Sequence, residues 1–295
     1  MKKYLKNLIF FLLLLLFLLV VSEVIIFVVD KPFKKEDYIG SLKVLTYDIK
    51  KESFDYRKTV GLEYKNRPIY LFSCSFPHGF GLGENQTFGY KLSKATKRPV
   101  YNFSTGGKGP QFIYYKMKRE DHFNKKVMPE YIVYVYIQEH ILFGLVKQLS
   151  GNKNAANLIY KKEKGVYKEE KPLFVNFWGL LTVKKIQEYF FSKISEQEKL
   201  KYFEDMLVES KKISDKRFPG SKFVILIYPK DNSFFKGVDK TFENLQKKGF
   251  IVIDLKKEMN KKLESDEYKI YDKFHPSEKA WDEITPYVAK KLNEL

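Results

Sequence analysis

One cysteine (Cys74), two tryptophans and four histidines in 295 residues exclude several chemistries at the outset. A lone thiol cannot form an intrachain disulfide, and it leaves the redox compartment open. With no paired His or Cys spacing, no metal-ligand set emerges, and no metal or cofactor is expected. Arginine is also scarce. Arg57, Arg67, Arg98, Arg119 and Arg217 are the full set, so nearly all of the positive charge behind the formal net +18 is lysine. Bidentate recognition of phosphates and base edges is an arginine property. Dispersed lysine interleaved with glutamate reads as a solvated surface. Nucleic acid is therefore not an expected partner, whereas an anionic membrane surface or acidic envelope polymers would suit the charge. Nucleotide-binding motifs are missing as well: Gly106-Gly107-Lys108-Gly109 is too short for a phosphate-binding loop and lacks its Lys-Ser/Thr ending. No internal repeat occurs, and no low-complexity tract beyond one leucine run.

That run is the first positive feature. Lys2, Lys3 and Lys6 precede Leu8 to Val29, a stretch apolar except for Ser22 and Glu23. As a helix it would span roughly 33 Å, enough to cross a bilayer. Residues 1–30 read as a single-pass signal anchor, N-terminus in the cytoplasm and the rest outside, although Lys31, Lys34 and Lys35 on the far flank thin the positive-inside signal. A cleaved signal peptide ending near Val20-x-Ser22 is the alternative; it would leave the apolar Ile25 to Val29 as a new terminus. Residues 31–65, charged and tyrosine-rich without a clear period, read as a stalk and lead-in segment. Residues 66–295 are enough for one substantial domain.

Within that domain, short apolar runs at 69–72, 99–103, 131–137, 222–228 and 250–255 alternate with helical patterns at 87–96, 111–123, 196–216, 236–248 and 277–292. Strands alternating with helices predict an α/β fold, a parallel sheet covered on both faces. Most strand-to-strand intervals suit a βαβ unit. The interval before Lys222 is about three times longer, which marks residues 141–195 as an insertion. It holds a charged hinge, 161–171, and then the apolar Leu173 to Leu181. It is either a subdomain burying its aromatics on the main core or a flap beside the catalytic face, able also to touch the bilayer.

Two motifs carry chemistry. In the first, Ser73, Cys74 and Ser75 end the first buried run, and Gly79, Gly81 and Gly83 follow. A hydroxyl or thiol on a Gly-rich turn at the carboxyl end of a buried strand is where open α/β sheets hold ligands, although a plain turn packed with small side chains would look the same. Strand alternation puts Ser73 and Ser75 on one face and Cys74 on the other, which favours Ser75 as nucleophile with Cys74 a packed neutral thiol. In the second motif, Asp272-x-x-His275-Pro276 puts a carboxylate and an imidazole within one turn, just before a final amphipathic helix taken to begin at the proline. Nucleophile, base and orienter for acyl transfer are then all present.

These blocks resemble the SGNH (GDSL-type) hydrolases. Ser73-Cys74-Ser75-Phe76 stands where that family has Gly-Asp-Ser-Phe, and Gly79-x-Gly81 follows as in its longer form. Residues 100–110, VYNFSTGGKGP, resemble the second block, NxGxxGxGP. Asp272-x-x-His275-Pro276 matches the fifth. The resemblance covers roughly residues 66–292, with a poor match in the middle. It implies a three-layer α/β/α, flavodoxin-like, parallel five-stranded sheet and a Ser75–His275–Asp272 triad that needs no metal. It places two oxyanion donors on the backbone N–H groups of Ser75 and Gly107. The family's third block supplies an asparagine, and that pattern is missing here. Gln138 or His140, after the third strand, are the side chains able to substitute, whereas an ionised Glu139 cannot donate. Of the remaining histidines, His78 is expected to line the turn and His122 to lie on the surface. The implied activity is an esterase or O-acyltransferase acting on O-acylated carbohydrates, polysaccharides or lipid esters; a non-catalytic envelope protein binding glycan or a protein partner is the alternative.

Overall fold

The computed structural model describes residues 64–119, 127–143, 194–229, 235–259 and 265–295, with positions 4, 7, 10–18, 21, 57–58, 123, 159–163, 166–170 and 263. The chain divides into two compact units. One comprises Met1–Glu52, Gln148–Asn157 and Lys171–Ile194; the other comprises Ser53–Lys147, Leu158–Glu170 and Ser195–Leu295. All that follows on the sheet concerns the second.

The apolar runs become strands because they are too short and too β-branched or aromatic for helices. A two-residue strand β1 (Arg57–Lys58) pairs antiparallel with β3 (Val100–Asn102). The other strands are parallel: β2 (Ile69–Phe72), β3, β4 (Tyr131–Tyr136), β7 (Lys222–Ile227) and β8 (Ile251–Asp254). Their spatial order is β3-β2-β4-β7-β8, the doubly wound flavodoxin-like order. Tyr131 stands opposite both Ile69 and Lys222, which fixes the register of the three central strands.

Both faces of the sheet are covered. Ile69, Leu71, Val133, Val135, Val224 and Leu226 face α2 (Phe88–Thr96), the short α7 (Leu255–Met259) and α8 (Glu278–Asn293), through Phe88, Leu92, Leu255, Trp281, Ile284 and Val288. Tyr70, Phe72, Ile132, Tyr134 and Ile225 face α3 (Pro110–Lys118), α5 (Glu196–Arg217) and α6 (Val238–Lys247). This is the expected three-layer α/β/α arrangement with five parallel strands.

Local departures have local causes. The predicted helix 111–123 stops at Lys118, because Arg119 turns extended (φ −92°, ψ 124°), and Phe123 is instead buried beside Tyr70 and Phe103. The predicted helix 236–248 begins only at Val238, after Gly237 at φ 89°. Within the insertion, the run taken for a charged hinge forms an antiparallel hairpin, β5 (Ile159–Glu163) with β6 (Val166–Glu170), whose closing pair Glu163–Val166 leaves only Lys164-Gly165 between the strands. A Gly-containing two-residue connection suits a hairpin. Most of the insertion, including Leu173 to Leu181, lies outside the described residues. Of the predicted anchor, residues 4, 7, 10–18 and 21 are described and helical, with large apolar side chains exposed from Phe10 to Leu18. Among the described residues, no helix is long and apolar enough to cross a membrane.

Candidate active site

The first half of the site is the turn after β2. The strand stops at Phe72. Ser73 then leaves the ladder, its hydroxyl donating to the Val135 carbonyl of β4 at 2.6 Å. Cys74 is buried in the core, and burial pushes its thiol up to about 11, so it stays a neutral packed group. Ser75 is the first residue of a single helical turn, α1 (Ser75–His78), closed by Gly79 at φ 81°, a conformation costly for any residue with a Cβ. Strand alternation therefore does not reach Ser75. It is the helical turn, not a strand face, that aims its side chain.

The second half is a tight loop before α8. Lys269 and Pro276 form an isolated antiparallel bridge, with Ile270 N–H bonded to the His275 carbonyl (2.9 Å) and Ser277 N–H to that of Tyr268 (2.8 Å). Pro276 is thus held in the bridge and does not open the helix; Ser277 is the N-cap and Glu278 the first helical residue. Lys273 takes a left-handed conformation, φ 56°, to turn the loop. Asp272 organises it: Oδ1 accepts from the backbone N–H groups of Phe274 (2.9 Å) and His275 (3.0 Å), while Oδ2 lies 2.5 Å from His275 Nδ1. Partial burial pushes the Asp272 carboxyl up, but the hydrogen bonds from His275 and Phe274 outweigh it and hold the carboxyl below its usual range. An ionised Asp272 makes Nδ1 the protonated nitrogen.

The two halves meet across 200 residues of sequence, with His275 Nε2 lying 2.7 Å from Ser75 Oγ. Helix packing closes that distance. Trp281 of α8 stacks on Phe88 of α2 at 4.9 Å. Lys91 of α2 bridges Glu278 (3.1 Å) and Asp282 (2.6 Å), and Gln86 donates to Glu278 at 2.8 Å. Burying Trp281 and Phe88 supplies most of that docking energy; partly exposed ion pairs contribute about 1 kcal/mol or less each. Rings surround the imidazole, with Phe80 at 4.7 Å, Phe274 at 5.1 Å and Phe76 at 5.3 Å between centroids.

The loop after β3 lies beside the serine turn and is stitched to it. Asn102 Nδ2 donates to the Pro77 carbonyl (2.7 Å) while its Oδ1 accepts from Ser104 N–H (3.0 Å). Thr105 N–H bonds the Ser73 carbonyl at 3.1 Å. His78 Nδ1 lies 2.9 Å from the Ser104 carbonyl, which can only accept, so Nδ1 carries the proton. Gly107, farther along this loop, has φ 65°. Ser75 and Gly107, the predicted backbone donors, therefore sit on two turns locked to each other.

The predicted side-chain donors fare differently. Gln138 is buried directly after β4. His140 needs correction as a donor. It is wholly buried within α4 (Glu139–Phe143), its ring stacked 5.3 Å from Tyr134 and Nδ1 2.6 Å from the Tyr134 hydroxyl, in the layer facing α5. Burial lowers its pKa to about 3, so the ring is a neutral core group not presented to a substrate. His122 lies outside the described residues. Sequence reasoning missed the role of Asn102, for which the one available signal was a polar residue ending an apolar strand; His78, expected to line the turn, is its last residue. A cavity of about 570 Å³ lies elsewhere, among β8, α6 and α8, and neither Ser75 nor His275 lines it.

No family model and no curated protein matches the chain. Solved structures do. A carbohydrate esterase whose active site displays divergent catalytic and non-catalytic binding functions aligns over 80% of this chain and 67% of its own, with TM-score 0.51 and 13% identity. The likeness is one of fold. Weaker matches are a G-D-S-L family lipolytic protein from Veillonella parvula DSM 2008 (TM-score 0.46, 12% identity, 77% of this chain and 97% of the other) and one from Desulfitobacterium hafniense DCB-2 (0.42, 10%, 76% and 99%).

Proposed function

We propose that this protein is a serine esterase or acyltransferase of the SGNH type that cleaves O-acyl esters of carbohydrate or lipid. The observation that carries the reading is the 2.7 Å approach of His275 Nε2 to Ser75 Oγ, with Asp272 behind the imidazole. In the reaction, Nε2 takes the Ser75 proton as Oγ attacks the ester carbonyl. The tetrahedral oxyanion is met by the Ser75 and Gly107 N–H groups, with Gln138 as the remaining side-chain donor. His275, now imidazolium and stabilised by Asp272, protonates the departing alkoxide. Water or a sugar hydroxyl then attacks the acyl-serine, giving hydrolysis or transfer. The same reading anchors the chain through residues 1–30 and places the domain outside the cytoplasm. Supporting this are the apolar run from Leu8 to Val29 and the exposed apolar helix side chains from Phe10 to Leu18.

The removal of His140 from the donor set favours a second reading, a binding module that keeps the fold without turnover. Hydrolysis of p-nitrophenyl acetate by the detergent-solubilised full chain separates the two. We expect His275→Ala to lower kcat by about 10²-fold or more. Equal rates for variant and wild type would leave the binding module.

A further inference from the structure

One charged side chain on the loop that holds Gly107 has no partner of opposite sign among the described residues. Lys108 follows Gly107 directly and is 9% exposed, yet its one interaction among the described residues is with the Phe112 ring, Nζ 5.9 Å from the centroid. Lysines are almost never buried unless paired. Lys91, on the other flank, shows the usual solution, with two carboxylates at its ammonium. Phe112 belongs to the first turn of α3, a nine-residue helix with no side-chain cap at Gly109 and no acidic residue in that turn. A helix N-terminus carries partial positive charge. The fold therefore places a lysine directly before the like-signed end of a helix, with no acidic group in contact with it among the described residues, on the loop that holds Gly107. Burial lowers the Lys108 pKa to about 8, as expected for a cation lacking a counter-ion. Such uncompensated groups cluster where a ligand completes them.

We propose that Lys108 and the N-terminus of α3 form an anion-recognising subsite, so that the preferred ester carries a carboxylate or phosphate close to its scissile carbonyl. The proposal rests on the esterase reading above and narrows its substrate class to acidic esters. The test compares p-nitrophenyl acetate with p-nitrophenyl hydrogen glutarate. In Lys108→Met, which keeps the buried stem and removes the charge, the ratio of kcat/KM for the glutarate over the acetate should fall at least tenfold, and Lys108→Arg should restore it to within about threefold. An unchanged ratio in Lys108→Met overturns the subsite. If wild type turns over neither ester, the esterase reading fails and the subsite is judged by binding. Glutarate or inorganic phosphate should then raise the Tm of wild type but not of Lys108→Met, the stronger of the two naming the group. No shift with either ion, or equal shifts in both proteins, overturns it.

Discussion

Asp272→Asn is the most informative single exchange, because it alters one proton while preserving the loop. Asp272 Oδ1 accepts from Phe274 N–H at 2.9 Å and His275 N–H at 3.0 Å, and an asparagine carbonyl oxygen can accept both. The loop therefore keeps its shape. The other position changes sign. Where Oδ2 now accepts from Nδ1 at 2.5 Å, an amide NH₂ donates instead, and Nδ1 must become the acceptor. The imidazole proton then moves to Nε2, which points a hydrogen at Ser75 Oγ and cannot take one. In a serine triad this tautomer error lowers kcat roughly 10⁴-fold. Removing the carboxylate also removes the charge that stabilises the imidazolium. The assay is kcat for p-nitrophenyl acetate, with far-UV circular dichroism and Tm to show that the fold is intact. A folded Asp272→Asn protein that loses less than tenfold would refute the assignment of Asp272 as orienter.

Further outcomes follow from the supports of the site. Gly81 has φ 74°, and a Cβ there would meet Ile270 Cδ1 at 2.7 Å, on the loop whose Ile270 N–H holds the His275 carbonyl. Gly81→Ala should cost about 1–3 kcal/mol of stability in denaturant titration and also lower kcat; a variant unaffected in both would contradict the packing. His140 bears on acid stability. Its native pKa of about 3 lies below the ordinary 6.5, so on acidification the unfolded chain binds the proton first. Stability is then complete above about pH 6.5 and falls by roughly 1.4 kcal/mol per pH unit below it, down to the native pKa, or about 2 kcal/mol at pH 5. His140→Gln should flatten this limb of the stability curve relative to wild type, and parallel limbs would refute the buried neutral ring.

The legible parts of the sequence were those set by short-range pattern. Alternating apolar runs and amphipathic segments located all five parallel strands, since each is a buried run bounded by polar or Gly-rich turns. Asp272-x-x-His275 was readable because its carboxylate–imidazole contact is local, closed within one turn. What was not legible depends on where the backbone goes after a strand ends. Ser75 was placed by strand alternation, yet β2 stops at Phe72 and a helical turn aims it. His140 looked like a donor because it follows β4, but one turn of helix carries it into the layer of Tyr134 and Phe203. Asn102 and His78 owe their meaning to the meeting of two turns about 25 residues apart, which no local period encodes.

The proposed activity rests on activation of the Ser75 hydroxyl by His275, from the far end of the chain. Treat the full-length protein with a fluorophosphonate probe and follow it by intact-mass spectrometry. One adduct is expected on wild type, located to Ser75 by peptide mapping, with none on Ser75→Ala and labelling slowed at least a hundredfold in His275→Ala. A wild-type protein that never labels, or a Ser75→Ala variant that labels as fast, contradicts that activation.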